Sequence, residues 1–111
     1  MAQASLDATY RALADPSRRA MLRQLARKEA QSVSELSAPL AIALPTVLKH
    51  IGVLVDAGLV ERTKSGRVVT VTLRPGGMAA ATAWLEKTGS FWSSRLDRLA
   101  ALVEHQPKEP R

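Results

Sequence analysis

No cysteine occurs in the 111 residues, and this excludes disulfides, thiolate metal sites, cysteine nucleophiles and thiol redox sensing. Histidine is nearly as scarce, and His50 and His105 are too few to hold a metal ion unless several carboxylates join them. Aromatic residues make up only 4% of the chain, and three of the four, Trp84, Phe91 and Trp92, crowd into one late segment. No apolar run approaches the ~18 residues of a membrane span, so no membrane partner is expected. The opening MAQASLDATYRAL lacks the charged-then-apolar order of a signal peptide, which points to the cytoplasm. A Gly-rich phosphate loop, a nucleophile elbow and an HExxH pair are all missing, and His50 sits among Lys49 and apolar neighbours. An enzyme is therefore not expected.

Acidic charge is in the minority, with 10 Asp+Glu against 16 Lys+Arg, a net charge of +6 and a pI near 10.5. The excess is uneven: residues 1–74 hold 11 Lys+Arg and 6 Asp+Glu, a net of +5, whereas residues 75–111 hold 5 and 4, a net of +1. A basic first two-thirds suggests a polyanionic partner, nucleic acid being the commonest, against the plainer reading of a basic surface kept for solubility. At 46% hydrophobic and 23% charged the composition is that of a folded chain, and its length suits one domain over residues 1–111.

Leu6, Tyr10 and Leu13 recur at helical spacing and predict a helix over residues 5–14. Asp15-Pro16 then supplies an N-cap and a first-turn proline for a second helix, running to about Lys28 with Met21, Leu22 and Leu25 on its apolar face. Arg19, Arg23 and Arg27 repeat on its other side. Ser32 caps a short third helix that Pro39 limits, and Leu44-Pro45-Thr46 opens a fourth that Gly58 ends. Residues 59–73, LVERTKSGRVVTVTL, are dominated by β-branched residues around a Ser65-Gly66 turn, as in a hairpin. Arg74-Pro75-Gly76-Gly77 breaks the second strand. A final helix from about Met78 to Glu104 has a weak point at Gly89-Ser90 that favours a kink, and residues 105–111 form a frayed tail.

This order predicts a mainly α fold with a β-hairpin wing: a winged helix-turn-helix of five helices and a two-stranded wing. The major groove of B-DNA admits one helix, a preceding helix braces it, and a basic hairpin reaches neighbouring phosphates or the minor groove. At 100° per residue, Val47, Ile51, Leu54 and Val55 of the fourth helix cluster toward the core. Thr46, Lys49 and His50 are left able to meet base edges or phosphates. Arg62, Lys64 and Arg67 concentrate positive charge around the hairpin turn, and Arg18 and Arg19 are weaker phosphate candidates near a helix start.

Residues 44–62, LPTVLKHIGVLVDAGLVER, resemble the recognition helix and first wing strand of the ArsR-type winged-helix repressors, in the branch without metal-binding cysteines. Residues 11–25, RALADPSRRAMLRQL, are similar to their second-helix signature, and FWSSRLDRLAALVE to the final helix of one branch. The resemblance implies a homodimeric bacterial repressor of a double-stranded DNA operator, paired through its first and last helices. Three positions depart from the family pattern. Ala43 replaces a capping serine, Leu48 replaces a serine that often contacts DNA, and Gly52 stands where Lys or Arg is frequent. Such a surface leans on phosphate contacts and DNA shape, or Leu48 meets thymine methyl groups.

A chain of this size has little core to cover a last helix of about 27 residues, ~40 Å long. Leu6, Tyr10, Trp84, Trp92, Leu96 and Leu99 are therefore expected at the dimer contact, in preference to a small cofactor pocket around the aromatics. No cofactor and no metal are expected: the third-helix segment SVSELSAPL has no cysteine, and Asp97, Glu104 and His105 lack the family's ligand spacing. The operator half-sites would lie about one helical turn, ~10 bp, apart. What would release such a repressor, a small molecule or a partner protein, has no signature in the chain. The rival reading is a winged-helix module for protein–protein assembly or for non-specific nucleic-acid binding.

Overall fold

The structure, a computed structural model, describes residues 2–104, without the side chains of residues 2–5, Trp92 and Glu104. The elements in chain order are α1 (Ala2–Leu13), α2 (Pro16–Arg27), β1 (Ala30–Ser32), α3 (Val33–Ser37), α4 (Leu44–Asp56), β2 (Val60–Ser65), β3 (Val68–Leu73) and α5 (Ala79–Glu104). The chain divides into two compact units after Ala81. No helix among the described residues is long and apolar enough to cross a membrane.

The helix boundaries follow from local chemistry. Asp15 sits in extended backbone, and its Oδ1 accepts hydrogen bonds from the N–H groups of Ser17 (2.7 Å) and Arg18 (3.2 Å), while Pro16 occupies the first turn, where no amide is needed. Ser32 and Glu35 form a reciprocal capping box: the Ser32 Oγ accepts from Glu35 N (3.1 Å) and the Glu35 Oε1 accepts from Ser32 N (2.9 Å). The same carboxylate takes a hydrogen bond from Lys28 Nζ at 2.8 Å, and this contact, with the Ser32 amide, holds Glu35 below the usual carboxylate range. Gly58, with φ +75°, ends α4 in the left-handed conformation.

The wing differs from the expectation in two respects. Its two strands, β2 and β3, pair as the expected hairpin, but a third strand extends them into an antiparallel sheet of order β1-β3-β2. The added strand is only three residues long, too short for alternation to show, and it forms because the free edge of β3 lies beside it, with Gln31 opposite Val71. Gln31 is buried, and its Nε2 donates to the carbonyls of Gln24 (2.7 Å) and Lys28 (2.9 Å), satisfying the end of α2. The tight turn also sits one residue later than expected. Ser65 pairs with Val68, so the loop is Gly66-Arg67, and positive φ at Gly66 alone matches a type II′ turn.

One apolar core holds the first unit. Met21 and Leu25 of α2, Leu36 of α3, Val47, Ile51 and Leu54 of α4, and Val60 and Val71 of the sheet are all fully enclosed. Gly77 closes this unit: a Cβ there would lie 2.6 Å from the Gly58 carbonyl oxygen and 3.2 Å from the Leu59 Cα. Both neighbours are backbone and cannot swing aside. Gly77→Ala is expected to cost about 1–3 kcal/mol, lowering Tm by roughly 5–20 °C. A melting curve that superposes on the parent's would show that the loop absorbs the methyl.

The second unit is the α5 span from Thr82 onward. The helix runs unbroken through Gly89, so the weak point does not interrupt it, and Thr88 Oγ1 donates to the Trp84 carbonyl at 2.7 Å. The Arg95 guanidinium lies 4.1 Å from the centroid of Phe91, one turn earlier. Trp84, Leu85, Phe91, Leu96, Leu99, Leu102 and Val103 remain exposed. The side chain of Trp92, that of Glu104, and residues 105–111 with His105 lie outside what is described.

Candidate nucleic-acid interface

The fourth helix is amphipathic because its apolar residues fall on one side. Val47, Ile51 and Leu54 are enclosed, while Thr46, Leu48 and Lys49 are exposed. Its N-terminus has no side-chain cap, since Ala43 stands at that position. Pro45 relieves part of the deficit by removing an amide from the first turn, and the amides of Thr46 and Val47 both reach the Ala43 carbonyl, at 3.0 and 3.1 Å.

His50 has a different setting. Its side chain is largely covered, and Nδ1 lies 3.1 Å from Nη1 of Arg18. A guanidinium only donates, so Nδ1 offers its lone pair and the ring proton is on Nε2, which lies 3.9 Å from the Asp15 carboxylate. Partial burial tends to raise the Asp15 pKa, but the Arg18 and Ser17 amides and the nearby Arg18 guanidinium outweigh it, and the net direction is downward. Arg18 also donates from Nε to the Ala12 carbonyl (2.7 Å) and from Nη2 to the Arg11 carbonyl (3.0 Å), and Arg19 Nη1 donates to the Leu13 carbonyl (2.7 Å). The two arginines expected near phosphates thus cover the last carbonyls of α1, and Arg18 ties α1 and α2 to α4.

Arg18→Ala is expected to lower stability by about 1–2 kcal/mol. Arg18→Lys should not restore it, because one ammonium cannot reach the three separate acceptors that Nε, Nη1 and Nη2 meet. Thermal melts of both variants decide the matter, and full stability in Arg18→Lys would refute the three-way contact.

Register places the wing charges. Arg62 lies opposite Val71 and Lys64 opposite Val69, so both stand on the sheet face that carries the enclosed Val60 and Val71. Arg67 occupies the turn. Among the described residues the ion pairs are Lys28–Glu35 and Arg74–Glu61, with the neutral His50 ring 3.9 Å from Asp15, and none of these contacts involves Lys49, Arg62, Lys64 or Arg67. Glu61, the acidic residue of β2, sits 3.9 Å from Arg74. The cations of α4 and the wing therefore carry uncompensated charge. A groove of about 370 Å³, lined by Ser32, Val33, Ser34, Leu44, Leu48, Arg67, Val68 and Val69, joins the starts of α3 and α4 to the wing turn. It puts Leu48 and Arg67, 19 positions apart in sequence, on one surface.

Sequence spacing exposed Thr46, Lys49 and the wing cations. It did not show that His50 is held by Arg18, because that contact spans 32 residues and depends on how α2 packs against α4.

Comparison with known proteins agrees with this geometry. Residues 13–63 match a family described as a helix-turn-helix domain. The chain is 34% identical over 102 residues, 92% of each chain, to the HTH-type transcriptional regulator Rv2034 of Mycobacterium tuberculosis. A crystal structure of an ArsR family transcriptional regulator superposes with a TM-score of 0.75 at 40% identity, covering 83% of this chain and 94% of that one. An ArsR-like transcriptional regulator from Rhodococcus sp. RHA1 superposes with a TM-score of 0.68 at 30% identity, covering 94% and 97%.

Proposed function

The chain belongs to the ArsR-type winged helix-turn-helix transcriptional regulators, which bind DNA and are not enzymes, and on that premise we propose that it is a homodimeric repressor of a two-fold operator. The observation that carries the reading is the set of uncompensated cations on the α4 and wing surface, Lys49, Arg62, Lys64 and Arg67, none of them in the ion pairs among the described residues. Each fourth helix enters a major groove, with half-sites about one turn of DNA, ~10 bp, apart. Thr46 and Lys49 meet base edges or nearby phosphates, and the wing anchors on the flanking backbone or minor groove. His50, bonded to Arg18, holds the pose of the helix.

The dimer reading rests on the exposed apolar residues of α5, among them Trp84, Leu96 and Leu99, at 47%, 59% and 56% of full exposure. Isolated surface leucines are ordinary, but a run of them along one helix marks an interface. Leu6 and Tyr10 of α1, both half-buried, complete the proposed contact together with Trp92.

A gel-shift with the DNA upstream of the protein's own coding sequence against scrambled DNA, at two salt concentrations, tests the proposal. Preferential binding that weakens as salt rises supports it. Equal, salt-sensitive binding to both favours a general nucleic-acid-binding role. No binding at either salt by a folded dimer favours protein–protein assembly, which an apolar contact would keep insensitive to salt.

A further inference from the structure

Three large apolar side chains of the first unit stay exposed in one place: Leu44 (54%), Leu48 (42%) and Val68 (53%) all border the groove between the starts of α3 and α4 and the wing turn. Leu44 and Leu48 lie one turn apart on α4, beside the enclosed row of Val47 and Ile51 and next to Lys49. Lys64 is paired across the hairpin with Val69, which lines the same groove, and Arg67 lines it directly. No Asp or Glu is among the lining residues. The apolar patch is therefore framed by positive charge that has no ion-pair partner among the described residues.

That frame selects the occupant. A second copy of the same surface would bring like charges together, whereas a polyanion is its complement. The major-groove edge of DNA carries one apolar group, the C5-methyl of thymine. We infer that Leu48, flanked by Leu44, is a specificity-determining residue that selects thymine by contact with its methyl group. Hydrogen bonds from Thr46 and Lys49 then fix the register. The inference rests on the DNA-binding reading above and adds the chemical feature of the base that is recognised.

Replacing thymine by uracil removes that methyl and leaves the base-pairing and hydrogen-bonding pattern intact. Duplexes are first selected from a randomised pool by the full chain, then each thymine is replaced in turn by uracil and binding is measured by fluorescence anisotropy. One or two positions in each half-site are expected to lose roughly three- to fivefold in affinity, and the symmetric double replacement roughly tenfold or more. Leu48→Ser should bind thymine and uracil duplexes alike, Leu44→Ser should reduce the difference, and Leu48→Met should keep it. Leu48 is exposed, so these variants should fold, which circular dichroism checks. Indifference of the parent to uracil at every position, or an undiminished difference in Leu48→Ser, overturns the inference while leaving DNA binding standing. A pool that yields no enriched duplex overturns it together with the operator reading.

Discussion

The Lys49→Ala, Arg67→Ala double variant is expected to bind operator DNA on the order of a hundredfold or more weakly at moderate salt, with the slope of log affinity against log salt reduced by about 3–4. The magnitude follows from symmetry. In a two-fold dimer the pair of substitutions removes four cations, and each phosphate neutralised contributes roughly 0.9 to that slope. Neither residue supports the fold: both are exposed, and neither takes part in the ion pairs among the described residues. The unfolding transition should stay where it is while binding changes. A salt titration by fluorescence anisotropy reads affinity and slope together. Parent-like values of both would remove α4 and the wing turn from the DNA interface.

What the sequence made legible was what a few adjacent residues decide. Asp15-Pro16 announces a helix start because the cap and the missing amide act within three residues, and the structure has both. Ser32 caps α3 in the same way, and the structure adds its reciprocal bond to the Glu35 carboxylate. Gly58 and Gly66 are placed by their own backbone conformations, φ +75° and +61°. Periodicity along α4 separated Val47, Ile51 and Leu54 from Thr46 and Lys49, because a helix turns by a fixed angle whatever it packs against.

The features that stayed hidden depend on partners distant in the chain. Strand β1 has three residues with no pattern of their own and exists through its pairing with β3, some 40 positions on. Gln31 looks like a polar loop residue until α2 places two carbonyls over its amide. His50 falls at the edge of the exposed side on a helical wheel, yet Arg18 covers it. The wheel knows one helix, and the site is made by several. Leu48 was visible as an apolar residue at a contact position, but only the fold brings Leu44, Val68 and Arg67 around it.

Leu96→Glu with Leu99→Glu is expected to convert the protein from a dimer to a species of the single-chain mass, 12.0 kDa, by sedimentation equilibrium. Burying each leucine in an interface contributes about 1.5–3 kcal/mol, and enclosing a carboxylate there instead would cost more than that gain. Both positions are exposed in the single chain, so the substitutions spare its own core. Operator affinity should fall on the order of 10²–10⁴-fold, because the second half-site would no longer be held at the high local concentration that pairing provides. The salt slope should drop to about half, since one recognition surface would neutralise only its own phosphates. This separates the two surfaces. The Lys49, Arg67 variant keeps its dimer mass and loses charge contacts, whereas the Leu96, Leu99 variant keeps every cation and loses the coupling between half-sites. A glutamate variant that remains dimeric would place the interface elsewhere. One that is monomeric yet binds like the parent would mean that the operator is read by one chain, and the two-fold arrangement would fall with it.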